Sequence, residues 1–571
     1  MAELIQAHFS KVDVLPLVKH YMASIDLYNV FKKYVPGSSK CLVEHAQGLG
    51  LLVENIICCN KPLYKVEEWI SSYSDGFVEH PVHAAVFNDD RLARNLSALF
   101  QADRHSLMTE LTLNAIKAHE LLTEEIHNDN TSITLTGAYA TNDPDAVKPK
   151  LGFNKDHRPD CKQIVFGLNI TADGHVPLCF DLFDGNTNDD VTHIPNWNAL
   201  RSLLQRQDFI YVADCKLCSK DNLAHINRNK GYFITLVPKD RKEIKEFYGR
   251  VKTEQIPWEM AFKIEDSRKK GRFIQYRTFE DKKSKEGYRI IWVHSSGKAK
   301  DDRGRREQKI ATALRNLEEL SGKLNRYHLK TKKEIKAAVN RICQDTKTFI
   351  HARIFTDRTQ VKLKLSPGRP GIRTRYEYKW EFRHRLEFRI DEQAVEAASK
   401  TDGIFPLITN TSLKAAEVLE HYKRQPFLEK RIYTQKSVLE IAPVYLKKTH
   451  RIEAIMFLYF VALMIMTLME RSIRANMAKR QIEKVPILPQ GMNTRKPTWD
   501  NIRYLFRNVH RSEITSGAES VQVEIRGVTT LHKEILSLLD VPASVYERLK
   551  WDWWRWSGTE NAPDNLPRVE S

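Results

Sequence analysis

Sixteen consecutive residues, Ala454 to Met469 (AIMFLYFVALMIMTLM), carry no charge and little polarity. Glu453 closes the run on one side and Glu470-Arg471 on the other. A membrane crossing takes about 20 apolar residues, so this run is short for one. The expectation is a helix buried on nearly all sides in a large soluble core, with no membrane partner. Such a helix needs mass around it. The chain has 571 residues, 42% of them hydrophobic, which is enough for several cores and unlike the composition of disordered chains. At roughly 150 residues per domain, three or four domains are expected.

Lys and Arg number 90 against 72 Asp and Glu, a formal net charge of +18. An excess of that size favours a polyanionic partner, DNA or RNA above all. Eight cysteines are scattered along the chain. Cys215-Lys216-Leu217-Cys218 is a lone CxxC without a second pair at zinc-site spacing, so it reads as incidental. Reduced thiols and a cytoplasmic location are the expectation. The N-terminus has no basic flank followed by an apolar run, so no secretory signal is expected.

The pattern changes four times along the chain. Residues 1–115 read as helical, with Asn88 as an N-cap before RLARNLSALFQA. A helix-turn-helix that enters a DNA groove and plain helical packing both fit that segment. Residues 116–238 read as strand, hairpin, helix, strand, helix, strand, which three-layer α/β packing accounts for. Ala172-Asp173-Gly174 is the hairpin turn. VAD ends a buried strand and delivers Asp214 to a sheet edge. Residues 239–403 are basic and partly β. They include two long helices joined near Tyr327 and the alternating run TRYEYKWEFRHRLEFRI, a two-faced strand. Residues 404–480 return to a buried strand, IFPLITN, and long helices. Residues 481–571 read as a helical tail ending near WDWWRW, a cluster suited to a core, a partner contact or a stacking surface.

Between Glu417 and Lys436, the residues Tyr422, Gln425, Glu429 and Lys436 are spaced by three, four and seven. On one continuous helix they would share an arc of roughly 60°. One acid is then flanked by a phenol, an amide and an ammonium. Two strand-borne acids, Asp129 in HNDNTS and Asp214, complete a set able to converge on a pair of Mg²⁺ ions, for which oxygen ligands are suited. Two such ions activate an attacking oxygen and stabilise a leaving one in phosphodiester cleavage.

In these motifs the chain resembles bacterial insertion-sequence DDE transposases with a ribonuclease-H-like core. Their signature is Tyr-(2)-Arg-(3)-Glu-(6)-Lys. Here it reads Tyr422-(2)-Gln425-(3)-Glu429-(6)-Lys436, with every spacing kept and Gln425 standing at the Arg position. An amide there lacks the bidentate phosphate clamp of a guanidinium. Arg424 lies about 100° around the helix and substitutes imperfectly. NDNTS, GFNKDHRPDCKQIVFGL, VPLCFDLFDGNTND, VADCKLCSKDNLAHI, DGIFPLITN, EIAPVYLKKTHRIEAIMFLYFVALMI and KPTWDNI extend the resemblance over most of the chain, in order.

The resemblance implies a multidomain α/β fold: a ribonuclease-H-like core (116–238 and 404–480) interrupted by a basic insertion domain (239–403), behind a helical N-terminal domain that recognises DNA ends. It implies Asp129, Asp214 and Glu429 as catalytic metal ligands, with Tyr422, Gln425, Arg424 and Lys436 near phosphate. Mg²⁺ is the implied cofactor, two ions, with Mn²⁺ able to substitute. Double-stranded DNA, both element ends and target, is the implied partner, and a homodimer in the synaptic complex. The bacterial nucleoid is the implied location. Trp258, Trp292 and Trp380 are the implied candidates for stacking on a flipped base, although each also suits a core. Asp156, Asp160, Asp189 and Asp190 read as loop-forming or supporting acids, and His157, Arg158 and Lys162 as possible DNA contacts. The same metals would serve a nuclease or resolvase that cuts without joining, and a catalytically silent DNA-binding protein is the alternative from another class.

Overall fold

Alternating and continuous apolar runs after residue 124 set up a sheet, and the long apolar helix sets up what covers it. The structure is a computed structural model. It describes residues 5–37, 43–73, 84–135, 137, 139, 143–155, 158–266, 271–365, 367–372, 374–434, 446, 448–516 and 519–547. The chain divides into two compact units, Met1–Thr235 with Glu420–Ser571, and Leu236–Leu419.

The first unit opens with strand β1 (Ile5–Lys11) and helices α1 (Leu15–Ser24), α2 (Leu27–Tyr34), α3 (His45–Cys58), α4 (Val66–Ser71), α5 (Asp89–Gln101) and α6 (Arg104–Ala118). Asn88 caps α5 by accepting from Arg91 N, as its sequence position predicts. Then follow β2 (Glu125–Leu135), β3 (Lys162–Thr171), β4 (Pro177–Phe183), α7 (His193–Leu204), β5 (Ile210–Ala213), α8 (Lys220–Arg228) and β6 (Tyr232–Leu236). These strands lie in the order β4-β3-β2-β5-β6. The β2–β3 and β3–β4 pairs are antiparallel, and β2–β5 and β5–β6 are parallel.

The second unit holds α9 (Lys242–Thr253), β7 (Glu259–Glu265), β8 (Phe273–Glu280), β9 (Arg289–Ser295), α10 (Ser296–Gly322), α11 (Lys332–Ile342), β10 (Ile350–Lys364), β11 (Tyr376–Ile390), α12 (Glu392–Ser399) and β12 (Ile404–Thr409). Strands β12-β9-β8-β7 are all antiparallel. Trp292 is buried there and stacks on Phe247 at 3.7 Å, and Trp258 packs at their edge. Arg306 on α10 grips Asp402 with two 2.7 Å bonds. Within the segment expected only as basic and partly β, residues 242–253 fold into α9 because Ile244 and Phe247 fall on one buried face.

Helix α13 (Ala415–Tyr422) leads back to the first unit, which continues with α14 (Gln425–Tyr433), α15 (Thr449–Lys479), α16 (Trp499–Phe506), β13 (His510–Ser516), β14 (Glu519–Arg526) and α17 (Thr530–Leu538). By length and composition α15 is able to cross a membrane, yet its most apolar window is wholly buried inside the protein. It is packed by α3, α5, α1, α16 and α17 and by β4. Phe180 of β4 meets Phe457 and Phe460 at 5.9 and 4.9 Å. The opposite face of the sheet is covered by α7, where Asn196 bonds Asn169 and Tyr211. The result is three layers.

Three sequence expectations are corrected. The helical N-terminal segment starts with β1, which pairs antiparallel with β13 from the far end of the chain. The expected helical tail contains the β13–β14 hairpin. Its alternating Ile514, Val523 and Ile525 suit a half-buried strand, and partners some 500 residues apart have no local signature. Finally, 417–436 is not one helix. Pro426 sits in the first turn of α14, where its missing N–H and fixed φ suit a helix start. The chain therefore turns at Lys423-Arg424 and begins again.

Candidate active site

Strand β2 carries the site by alternation. Glu125, His127 and Asp129 point to one face, and Asn128 and Asn130 to the other. The parallel pairing with β5 runs Glu125↔Ile210, Ile126↔Tyr211, His127↔Val212. Two residues further along each strand are Asp129 and Asp214. The β5 strand ends at Ala213, so Asp214 turns at the sheet edge and its carboxylate caps the next turn, accepting from Lys216 N at 2.9 Å. The sequence-predicted aspartates are thereby brought side by side.

Their chemistry follows from that placement. Burial pushes the Asp129 carboxyl up to about 6; Lys155 opposes this, while the charges of Asp214 and Asp189 add to it. Asp214 is raised by burial too, partly offset by the Lys216 amide and Lys155. Lys155 Nζ lies 3.5 Å from Asp129 Oδ1 and bonds the Asn130 carbonyl. The loop bearing Lys155 is tied to β2 through Lys155 N to Ser132 and Asn154 to Thr134. Two repelling carboxylates with a cation of the chain already drawn to them form an all-oxygen donor pair that suits Mg²⁺ or Mn²⁺.

Glu429 sits on α14 with its side chain exposed. Among the described residues, no three His, Cys, Asp or Glu side chains are gathered closely enough to hold one metal ion. The link between Glu429 and the aspartates is Tyr422 on the last turn of α13. Burial raises its phenol first, and the charges of Asp214, Cys215, Glu429 and Asp129 raise it further. All three acids thus lie within electrostatic reach of one phenol. Lys436, Asp156, His157 and the WDWWRW cluster lie outside the described residues. Arg158 is held by Asp160 in a two-bond pair at 2.9 and 2.8 Å. Asp189 accepts from Asn130 at 3.3 Å, next to the aspartate pair.

Gln425 is buried, and both ends of its amide are used. Its Nε2 donates to the Asn128 carbonyl at 3.0 Å, and its Oε1 faces His127 Nδ1 at 2.9 Å. His127 Nε2 lies 2.8 Å from Glu125 Oε1. Arg424 pairs with the other Glu125 oxygen and with Glu420. His421 Nδ1 is 2.8 Å from that same oxygen, close but poorly aligned for a hydrogen bond. Burial raises Glu125, and the His127 and His421 contacts more than offset it, leaving its carboxyl at about 2. Gln425 therefore clamps α14 to the backbone beside Asp129. Gln425→Leu, which removes the partner of His127 Nδ1 and the side-chain bond to the Asn128 carbonyl, is expected to cost about 1–3 kcal/mol in denaturant unfolding. An unchanged midpoint would rule out the clamp.

The far side of α14 is anchored by groups that no local motif marks. Arg431 donates to Glu470 of α15 at 2.6 Å and to the carbonyls of Gly174 and His175 in the β3–β4 turn. His175 also stacks on Phe427 at 4.2 Å. Helix α14 is thus fixed at one end to β2 and at the other to α15.

Comparison with known proteins covers the chain unevenly. A family model described as a domain of unknown function, DUF4277, matches residues 7–113. No curated protein matches the sequence. Among solved structures, the chain is similar to a piggyBac transposase synaptic complex with hairpin DNA, at 8% identity and a TM-score of 0.38, covering 99% of this chain and 89% of that one. It is also similar to the Mos1 transposase paired-end complex with the left transposon end, at 11% identity and a TM-score of 0.14, covering 34% of this chain and 60% of that one.

Proposed function

We propose that this protein is a DDE transposase of an insertion sequence, which binds terminal inverted repeats, cleaves the strands and joins the freed 3′-OH ends to a target. The observation that supports the reading is the parallel register of β2 and β5, which carries Asp129 and Asp214 each two residues beyond the His127↔Val212 pair. The signature spacing from Tyr422 to Lys436 and the charge of +18 support it.

In this reading Asp129 and Asp214 hold divalent metal, Mg²⁺ or Mn²⁺, and Glu429 joins them when DNA is bound. When present, the two ions activate the attacking oxygen and neutralise charge on the leaving one. Tyr422, with its proton held by burial and by the acids around it, donates a hydrogen bond to phosphate. Arg424, at the start of α14, and Lys436, further along the sequence, supply positive charge for phosphate. Gln425 positions α14 from within, and Glu429 rides on that helix. Two protomers in the synaptic complex belong to the same proposal, as does a place on the bacterial nucleoid.

The test is cleavage of supercoiled DNA carrying the sequences that flank the protein's own coding region, in Mg²⁺ or Mn²⁺, with Glu429→Gln as control. Wild type is expected to cut at the ends and the variant to lose cutting by about a hundredfold or more. Incubating the cut ends with target DNA then separates joining from a nuclease that only cuts. Equal cleavage by both proteins would remove Glu429 from the site, and binding without cleavage by either would leave a DNA-binding protein.

A further inference from the structure

Strands β10 and β11 form a two-stranded ribbon, paired from Ile350↔Ile390 to Lys364↔Tyr376. Its base is packed: Ile350 and Leu386 join Leu317 and Ile335 in the core made with α10 and α11. Beyond His384 both faces of the ribbon are largely exposed. Residues directly opposite in an antiparallel pair share a face, and here even-numbered residues face even-numbered ones.

The two faces differ in kind. From 350 to 390 the chain holds eleven Lys and Arg and four Asp and Glu. All four acids, Asp357, Glu377, Glu381 and Glu387, are odd-numbered. The outer even face has none. It sets Tyr376, Tyr378, Trp380 and Phe382 along one strand against Lys364, Lys362, Gln360 and Arg358 on the other. Tyr378, Trp380 and Phe382 are 57%, 47% and 62% exposed. Arg358 lies 4.1 Å over the Trp380 ring, and Lys362 lies 4.0 Å over Tyr376.

We propose that the even-numbered face of this ribbon binds single-stranded nucleic acid, with bases stacked on Tyr378, Trp380 and Phe382 and phosphates met by Arg358, Lys362 and Lys364. Exposed rings interleaved with cations are the chemistry of sequence-tolerant single-strand binding. Same-face residues on a strand are about 6.7 Å apart. That is about twice the 3.4 Å spacing of stacked nucleotides, which leaves room for a ring between successive bases. In a duplex the bases already stack on one another, and the rings would gain little. Two copies of this face would bring like charges together, which disfavours a second copy as the occupant. The proposal uses neither Asp129 nor Asp214 and shares only Trp380 with the stacking candidates that the resemblance implies, so single-strand binding is tested without any cleavage readout.

The experiment is fluorescence anisotropy with the full-length protein and four labelled probes: a short oligothymidylate, the oligouridylate of the same length, an abasic strand with the same phosphates, and a duplex. The wild type is expected to bind oligothymidylate about tenfold or more tighter than the abasic strand. Trp380→Ala with Phe382→Ala is expected to abolish that preference and to leave duplex binding unchanged. Trp380→Phe is expected to keep most of it. Comparison of the two pyrimidine strands tells DNA from RNA as the source, and tight binding of either supports the site. Equal affinity of the wild type for the abasic strand, or an equal loss for duplex in the double variant, would overturn it. So would a dimer, seen by sedimentation, that the double variant dissociates in the absence of any single-strand binding.

Discussion

Asp129→Asn is expected to lower metal-dependent strand cleavage by about a thousandfold or more while raising the stability of the metal-free protein. The two effects have one cause. Burial, reinforced by Asp214 and Asp189, lifts the Asp129 carboxyl to about 6 against Lys155. An unfolded Asp titrates near 3.9, so the folded state prefers the protonated form. The stability from this group is fully present below about pH 4 and is lost as pH rises through about 6. At pH 7 the ionised carboxylate therefore opposes folding, by an amount on the order of 2 kcal/mol. Asparagine removes that charge and its pH dependence. Under the proposed function, divalent metal would relieve the same repulsion in the wild type by binding the folded state. Thermal melts of both proteins at pH 5 and pH 7.5, with and without Mg²⁺ or Mn²⁺, check this. The wild type is expected to gain from metal chiefly at the higher pH, and Asp129→Asn to gain much less. A metal-induced shift of equal size in both proteins would take Asp129 out of the metal site, whatever the cleavage assay shows.

The parts of this site that were legible in the sequence are those written in local patterns. The run HNDNTSITL, with its β-branched Thr and Ile, and the run ending in VAD read as strands, and both aspartates lie at or just past the strands that carry them. The sixteen-residue apolar run read as a buried helix because nothing else can hold it. What escaped was whatever depends on a partner distant in sequence. Gln425 looked like a depleted phosphate clamp, yet its neighbours Asn128 and His127 stand nearly 300 positions earlier. Glu125 and His127 precede Asp129 with the period of two that a strand requires, and that spacing was the available signal for a supporting row behind the acid. In the sequence Lys155 is one residue of GFNKDHRPDCKQIVFGL with no local mark, because its reach to Asp129 depends on the Ser132 and Thr134 bonds that fold the loop over β2. The helix break was visible as Pro426, but proline is tolerated in a first helical turn and so marks a start as readily as an interruption.

Glu470→Ala is expected to be the most destabilising single change near the site, about 3–5 kcal/mol, although Glu470 touches none of the reacting groups. Its carboxylate lies at the end of the apolar run and accepts from Arg431 at 2.6 Å, Arg474 at 3.1 Å and the Trp499 amide at 3.0 Å. Arg431 and Glu470 are 4% and 8% exposed, so removal of the acid leaves a buried guanidinium without its counter-charge, held only by the Gly174 and His175 carbonyls. Burial pushes the Glu470 carboxyl up, but Arg431 and Arg474 more than offset this and hold it below its usual range. A depressed folded pKa means stability that is present above the unfolded value and is lost as pH falls through the folded one. Acid unfolding of wild type should therefore come in part from this pair, and Glu470→Ala should blunt that slope. Replacing both partners, Arg431→Met with Glu470→Met, should recover much of the loss, because no buried charge is stranded. Stability and position separate at this point. The double variant keeps a packed core but loses the bonds from Arg431 to Glu470 and to the Gly174 and His175 carbonyls, which fix the far end of α14. Cleavage is then expected to stay depressed by about a hundredfold although folding is restored, since a displacement near 1 Å of the helix bearing Glu429 is enough for such a loss. Full recovery of cleavage in the double variant would show that α14 is held by β2 alone, through Gln425.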